Sequence, residues 1–123
     1  MKRIGTIDEL MSMEPTSLAE KLRKEVDFGK LENLNSPQAV TEAINKSIAY
    51  ASYFKELETL AKIHKRKGKR EKLPLEEQDR RLGVEEVFEA YKRIAEMQYD
   101  KVVKMMTARR LQLEETKFLG SAT

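Results

Sequence analysis

Six Lys and Arg residues and one Glu occupy nine consecutive positions, 64–72, in the run HKRKGKREK, headed by the chain's single histidine. Cations crowded in this way contact phosphates. Lys65, Arg66, Lys67, Lys69 and Arg70 are therefore the candidate residues for contacting nucleic acid, without sequence preference and with an affinity that falls steeply as salt rises. The run contains no aromatic side chain on which a base could stack and no Asn or Gln to read a base edge. A structural role is the competing explanation, because Lys and Arg at the C-terminal end of a helix complement its dipole and keep an exposed tip hydrated. The run carries +5 while the whole chain carries +3, so everything else sums to −2 and the basic character is a point rather than a stripe.

Other chemistry is sparse. Without cysteine there is no disulfide, thiolate nucleophile or thiolate metal ligand. His64 stands at a basic helix end with no companion, and a metal site needs several converging groups. Adjacent carboxylates occur as Glu76-Glu77, Glu85-Glu86 and Glu114-Glu115, but neighbours on a helix diverge by about 100° and do not share a proton or a metal. The five glycines are isolated, and Gly68-Lys69 lacks the rest of a phosphate-binding loop. Met97, Met105 and Met106 could form an adaptable groove, but Met105 and Met106 fall on the inner stripe, and core packing is the reading adopted for them. No residue is assigned a catalytic, cofactor-binding or metal-ligating role, and the chain is read as non-enzymatic.

The elements that position these side chains are helices. The chain has 123 residues, 40% of them apolar and 37% charged, with no Trp, a balance that suits one small all-α domain of long amphipathic helices. Ser36-Pro37 provides a capping hydroxyl and a proline at the first helical position, starting a helix of about 37–66, on the order of 45 Å long. A second runs from about 84 to 118 after Gly83, with Glu85 and Glu86 in its first turn. The intervening residues hold a short helix of about 74–81 begun by Pro74. Ahead of Ser36, Thr6 to Glu9 and Ser17 to Glu20 read as capping boxes for short helices near 7–12 and 18–27. The chain thus divides into an N-terminal helical segment (1–35), a helical hairpin (36–118) and a tail (119–123).

At 100° per residue, Val40, Ala43, Ile44, Ser47, Ile48, Ala51, Phe54 and Ala61 form one stripe on the first long helix. Val84, Phe88, Ile94, Ala95, Val102 and Met106 belong to the stripe of the second. The connection is too short to return the chain for parallel packing, so the pair is antiparallel, with opposed positions summing to about 150. That register places Ser47 and Ala51 against Tyr99 and Val102, and a partly exposed Glu58 against Lys92 or Arg93. Tyr53, Leu60, Ile63, Met97 and Leu111 project from the backs of the helices and are the candidate protein interface. A hairpin with one short covering helix has a thin core, so completion into a helical bundle by self-association is expected, with a dimer favoured.

The segment around Gly83 has the outline of a helix-turn-helix, but Asp79 and Glu89 stand where that motif needs a small and an aliphatic residue, and Glu85 and Glu86 would face phosphates. The function expected is self-association and binding of a partner protein, as adaptor, assembly factor, chaperone or inhibitor. The alternative is a nucleic-acid accessory acting through 64–72. No apolar run is long enough for a membrane span and no signal peptide is evident, so a soluble cytoplasmic protein is expected.

Overall fold

A computed structural model describes the backbone of residues 3–121 and the side chains of residues 3–110. Among these the chain is helical: α1 (Ile7–Met11), α2 (Pro15–Glu25), one 3₁₀ turn (Leu31–Asn33), α3 (Pro37–Arg70) and α4 (Leu75–Ser121). α3 and α4 form the antiparallel hairpin and supply most tertiary contacts, with α2 laid on α4 and α1 on α3. The register is the expected one: Lys92 Nζ donates to Glu58 Oε2 at 2.7 Å, and Lys65 Nζ lies 2.7 Å from Glu85 Oε2.

Local chemistry explains most helix starts. Ser36 Oγ accepts from Ala39 N–H at 3.1 Å with Pro37 behind it, and Thr6 Oγ1 accepts from Glu9 N–H at 3.2 Å. The expected box at Ser17 is not used. α2 instead begins three residues earlier than expected, at Pro15, whose fixed φ suits a first helical position, and its N-cap Glu14 makes no side-chain capping bond.

The long connection is replaced by a tight turn. α3 continues through Gly68 to Arg70, and the turn needs only residues 71–74. Leu73 N–H donates to Gly68 O at 3.1 Å and Lys72 N–H to Lys69 O at 3.2 Å, the paired bonds of a Schellman motif. The left-handed position of that motif is filled by Lys72, with φ 55°, where glycine is the usual occupant. The anticipated 74–81 helix is the opening of α4, which passes through Gly83 without interruption and reaches Ser121, three residues beyond the expected end. Gly83 marks a close approach: a Cβ there would stand 2.5 Å from Pro15 Cγ. The glycine lets α2 start against α4, and the helix-turn-helix outline has no turn.

Two buried clusters hold the hairpin. The larger unites Leu10 and Met11 of α1, Leu18 and Leu22 of α2, Phe54, Leu57 and Ala61 of α3, and Val84, Phe88 and Ala95 of α4. Phe54 is its hub, with ring centroids 6.0 Å from Tyr50, 5.5 Å from Tyr53 and 5.5 Å from Tyr91. The smaller contains Val40, Ala43 and Val102, flanked by Leu31, Leu34, Ile44 and Met105.

Candidate functional site

The basic run lies on the last turns of α3. Its cations fall into two groups. Lys65 is half-buried and directed at Glu85, and Lys67 sits 4.0 Å from Glu71 one turn on. Glu85, expected in the first turn of a helix starting near 84, is buried ten residues into a helix that began at Leu75, and is turned toward α3. Its Oε2 lies within ion-pair distance of Lys65 but off the angle of a hydrogen bond. Arg66, Lys69 and Arg70 are exposed and have no acceptor among the described residues. His64 contributes its backbone carbonyl, which accepts from Arg81 Nη1 at 2.7 Å.

Behind the tip, Glu77 organises a clamp. Its carboxylate accepts from Arg80 at 2.5 Å and 2.9 Å and from Arg81 at 3.1 Å. The Arg80 guanidinium holds the Glu77 carboxyl down at about 2, against the opposing effect of burial and with help from Arg81. Arg80 Nη1 also donates to Met11 O and Met13 O at 2.5 Å and 2.9 Å, closing the end of α1, while Arg81 reaches α3. One carboxylate thereby orients two arginines that tie three segments together.

The back-face residues separate in the same manner. Tyr53 is a correction to the expected interface: it is buried, and its hydroxyl accepts from Ile4 N–H at 3.1 Å. The N-terminal segment and α1 fold over this flank, so Tyr53 is covered by its own chain. Leu60 is half-buried beside Ile7 and Leu57 in a shallow cleft of the same flank. Ile63 and Met97 stand exposed. Leu111 lies outside the described side chains.

The flank of the hairpin opposite the N-terminal helices is open, and sequence reasoning placed its residues inside. Ile48 is 48% exposed, Met106 44% and Tyr99 38%. Ser47, Ile48, Ala51 and Ser52 of α3 and Glu96, Tyr99 and Asp100 of α4 line a groove of about 320 Å³. The cause is geometric. From Leu57 to Ile48 the α3 stripe spans about 180° at 100° per residue, wider than one neighbouring helix covers. α1 and α2 take up one margin and nothing described takes up the other. That excess width was the available signal.

Across the seam of this open flank, Glu58 is buried rather than partly exposed, and it accepts from Lys92 at 2.7 Å while pairing with Lys62 at 3.2 Å. The Lys92 hydrogen bond lowers its pKa, opposed by burial and reinforced by Lys62; Lys92 is raised in turn, chiefly by Glu58. A buried carboxylate held ionised by two ammonium groups fixes helix register.

Among the described residues no group of three or more His, Cys, Asp or Glu side chains converges as a metal site, and no helix is long and apolar enough to cross a membrane. Compared with known proteins, the chain matches no family model, no curated protein and no solved structure.

Proposed function

We propose that the protein acts without enzymatic chemistry, by binding other proteins through the open flank of the α3/α4 hairpin. The observation that supports this is the groove between Ile48 and Tyr99, floored by the small residues Ser47 and Ala51. Small residues at its floor let another helix approach closely, and the exposed side chains of Ile48 and Tyr99 beside it provide apolar area that water leaves readily. An adaptor, assembly factor, chaperone or inhibitor would use such a surface.

The test is site-specific photo-crosslinking in the native host, with a photoreactive residue at position 48, at 66 on the basic tip, or at 23 on the outer face of α2. Protein adducts that form at 48 and not at 23 are expected. Equal yields at 48 and 23 would refute the reading.

A second reading rests on Arg66, Lys69 and Arg70, exposed cations of the basic run that have no acceptor among the described residues. They would contact phosphates of single- or double-stranded nucleic acid. Binding of random oligonucleotides at low salt that is abolished by moderate salt, and weakened by reversing these three charges, is the expected result. No binding at low salt removes this reading.

A further inference from the structure

We infer that the open flank is a self-complementary surface that receives a second copy of this chain, with α3 of each protomer lying on α4 of its partner. This rests on the protein-binding reading of the same groove and adds the occupant and its orientation.

Charge selects the occupant. On the α3 side, the residues that continue the rim from Ile48 and Ser52 at helical spacing are Lys55 and Lys62. On the α4 side, the rim carries Glu96 and Asp100, with Glu89 two turns before Glu96. One edge of the groove is therefore basic and the other acidic. Lys55, Glu96 and Asp100 have no ion-pair partner among the described residues, whereas Glu58 and Lys92 in the seam are satisfied.

Two twofold arrangements lay one open flank on another. An axis perpendicular to the helices sets α3 on α3 and α4 on α4, so lysines meet lysines and carboxylates meet carboxylates. An axis parallel to the helices sets α3 on the partner's α4, so each basic edge meets an acidic one. Only the second is electrostatically favourable, and the register of the hairpin completes it. The Glu58–Lys92 and Lys65–Glu85 contacts place Lys55 level with Glu96, and Lys62 level with Glu89, to within one residue. Under a parallel twofold axis, groups level within one chain become opposed between chains. Lys55 of one copy then faces Glu96 of the other, twice, around a centre in which Ile48 and Tyr99 of both copies pack over Ser47 and Ala51. The product is a four-helix bundle with the N-terminal helices on its two outer sides.

Sedimentation equilibrium of the full chain tests the inference. The intact protein sediments as a dimer, and Tyr99→Glu, which places a charge in the centre, sediments as a monomer. Lys55→Glu and Glu96→Lys each weaken self-association by about tenfold, since each creates two like-charge contacts per dimer. Mixing these two variants in equal amounts restores association to the native level, because the mixed dimer holds one native and one reversed pair. Circular dichroism melts confirm that each exposed-site variant is folded. Intact protein that stays monomeric at its highest soluble concentration overturns the inference, and a mixture no tighter than its components overturns the orientation. A monomer that still forms protein adducts at position 48 sinks the second copy alone and leaves the binding reading standing.

Discussion

Around Phe54 the hairpin is sheathed: α1 and α2 cover one flank, four aromatic rings meet, and the Glu77–Arg80–Arg81 clamp ties the sheath to both long helices. Around Val102 the same two helices continue with a core of three buried residues and a strap of Leu31 and Leu34, and their other flank exposes Ile48, Tyr99 and Met106. One half is finished by its own chain. The other has apolar surface left over, and it is the half on which binding is proposed. α4 is also longer than α3, 47 residues against 34, so its C-terminal part runs past the start of α3. The larger buried cluster and the uncovered apolar side chains thus lie toward different ends of the hairpin.

The largest effect that would sharpen this contrast is at the two cores. Phe54→Ala removes the aromatic hub and is expected to cost about 3–5 kcal/mol, a large part of the stability of a small domain. Val102→Ala in the smaller core should cost about 2 kcal/mol. Denaturant melts of both variants measure the difference, and equal losses would break the comparison.

Next come Gly68 and Gly83, both within helices. At Gly83 a methyl group would meet the rigid Pro15 ring at 2.5 Å, so overpacking of about 1–3 kcal/mol exceeds the ~1 kcal/mol that alanine gains in a helix. Gly83→Ala is expected to lower stability and displace α2. At Gly68 the nearest atoms are the Arg81 Nη1 at 3.1 Å and Leu73 Cδ1 at 3.3 Å, side-chain ends that can move, so Gly68→Ala should stay within about 0.5 kcal/mol of the native protein. Thermal unfolding in parallel distinguishes the two.

Acid should loosen the sheathed half. The folded-state pKa of Glu77 is depressed to about 2, so its contribution is fully present above the ordinary carboxylate value near 4.5 and is lost as pH falls from there through 2. Glu58, also depressed, acts in the same direction. Melting temperature should hold from neutral pH to about 5 and then fall by several degrees. Glu77→Gln should flatten part of that decline, and an unchanged acid profile would show that the clamp does not stabilise the fold.

The smallest effect is at the turn. Lys72 holds a left-handed backbone that costs an L side chain about 1 kcal/mol or more, so Lys72→Gly is expected to raise stability by roughly 0.5–1 kcal/mol. A chemical melt would register the gain, and a loss would mean that the lysine side chain contributes more than its backbone costs.

Much of the architecture was legible in local chemistry. Ser36-Pro37, the two apolar stripes and the Glu58–Lys92 register all follow from short-range rules of capping, 3.6-residue periodicity and charge pairing. Gly83 misled because a glycine that permits a close approach looks the same in a sequence as one that ends a helix. Tyr53 misled because its position on the back of α3 says nothing about where α1 folds. Of the interface expected from the sequence, Ile63 and Met97 remain exposed, whereas the groove at Ile48 and Tyr99 was assigned to the interior.

Composition and periodicity were sufficient to specify an all-helical antiparallel hairpin and its register, since those properties depend on residues a few positions apart or on the alignment of two stripes. Tertiary packing settled which flank of the wide stripes is covered and that Lys65 of HKRKGKREK is directed at Glu85. Coverage of the flank depends on where α1 and α2 come to rest, and that is set by contacts such as Pro15 on Gly83 and Arg80 on Met11, between residues separated by more than sixty positions.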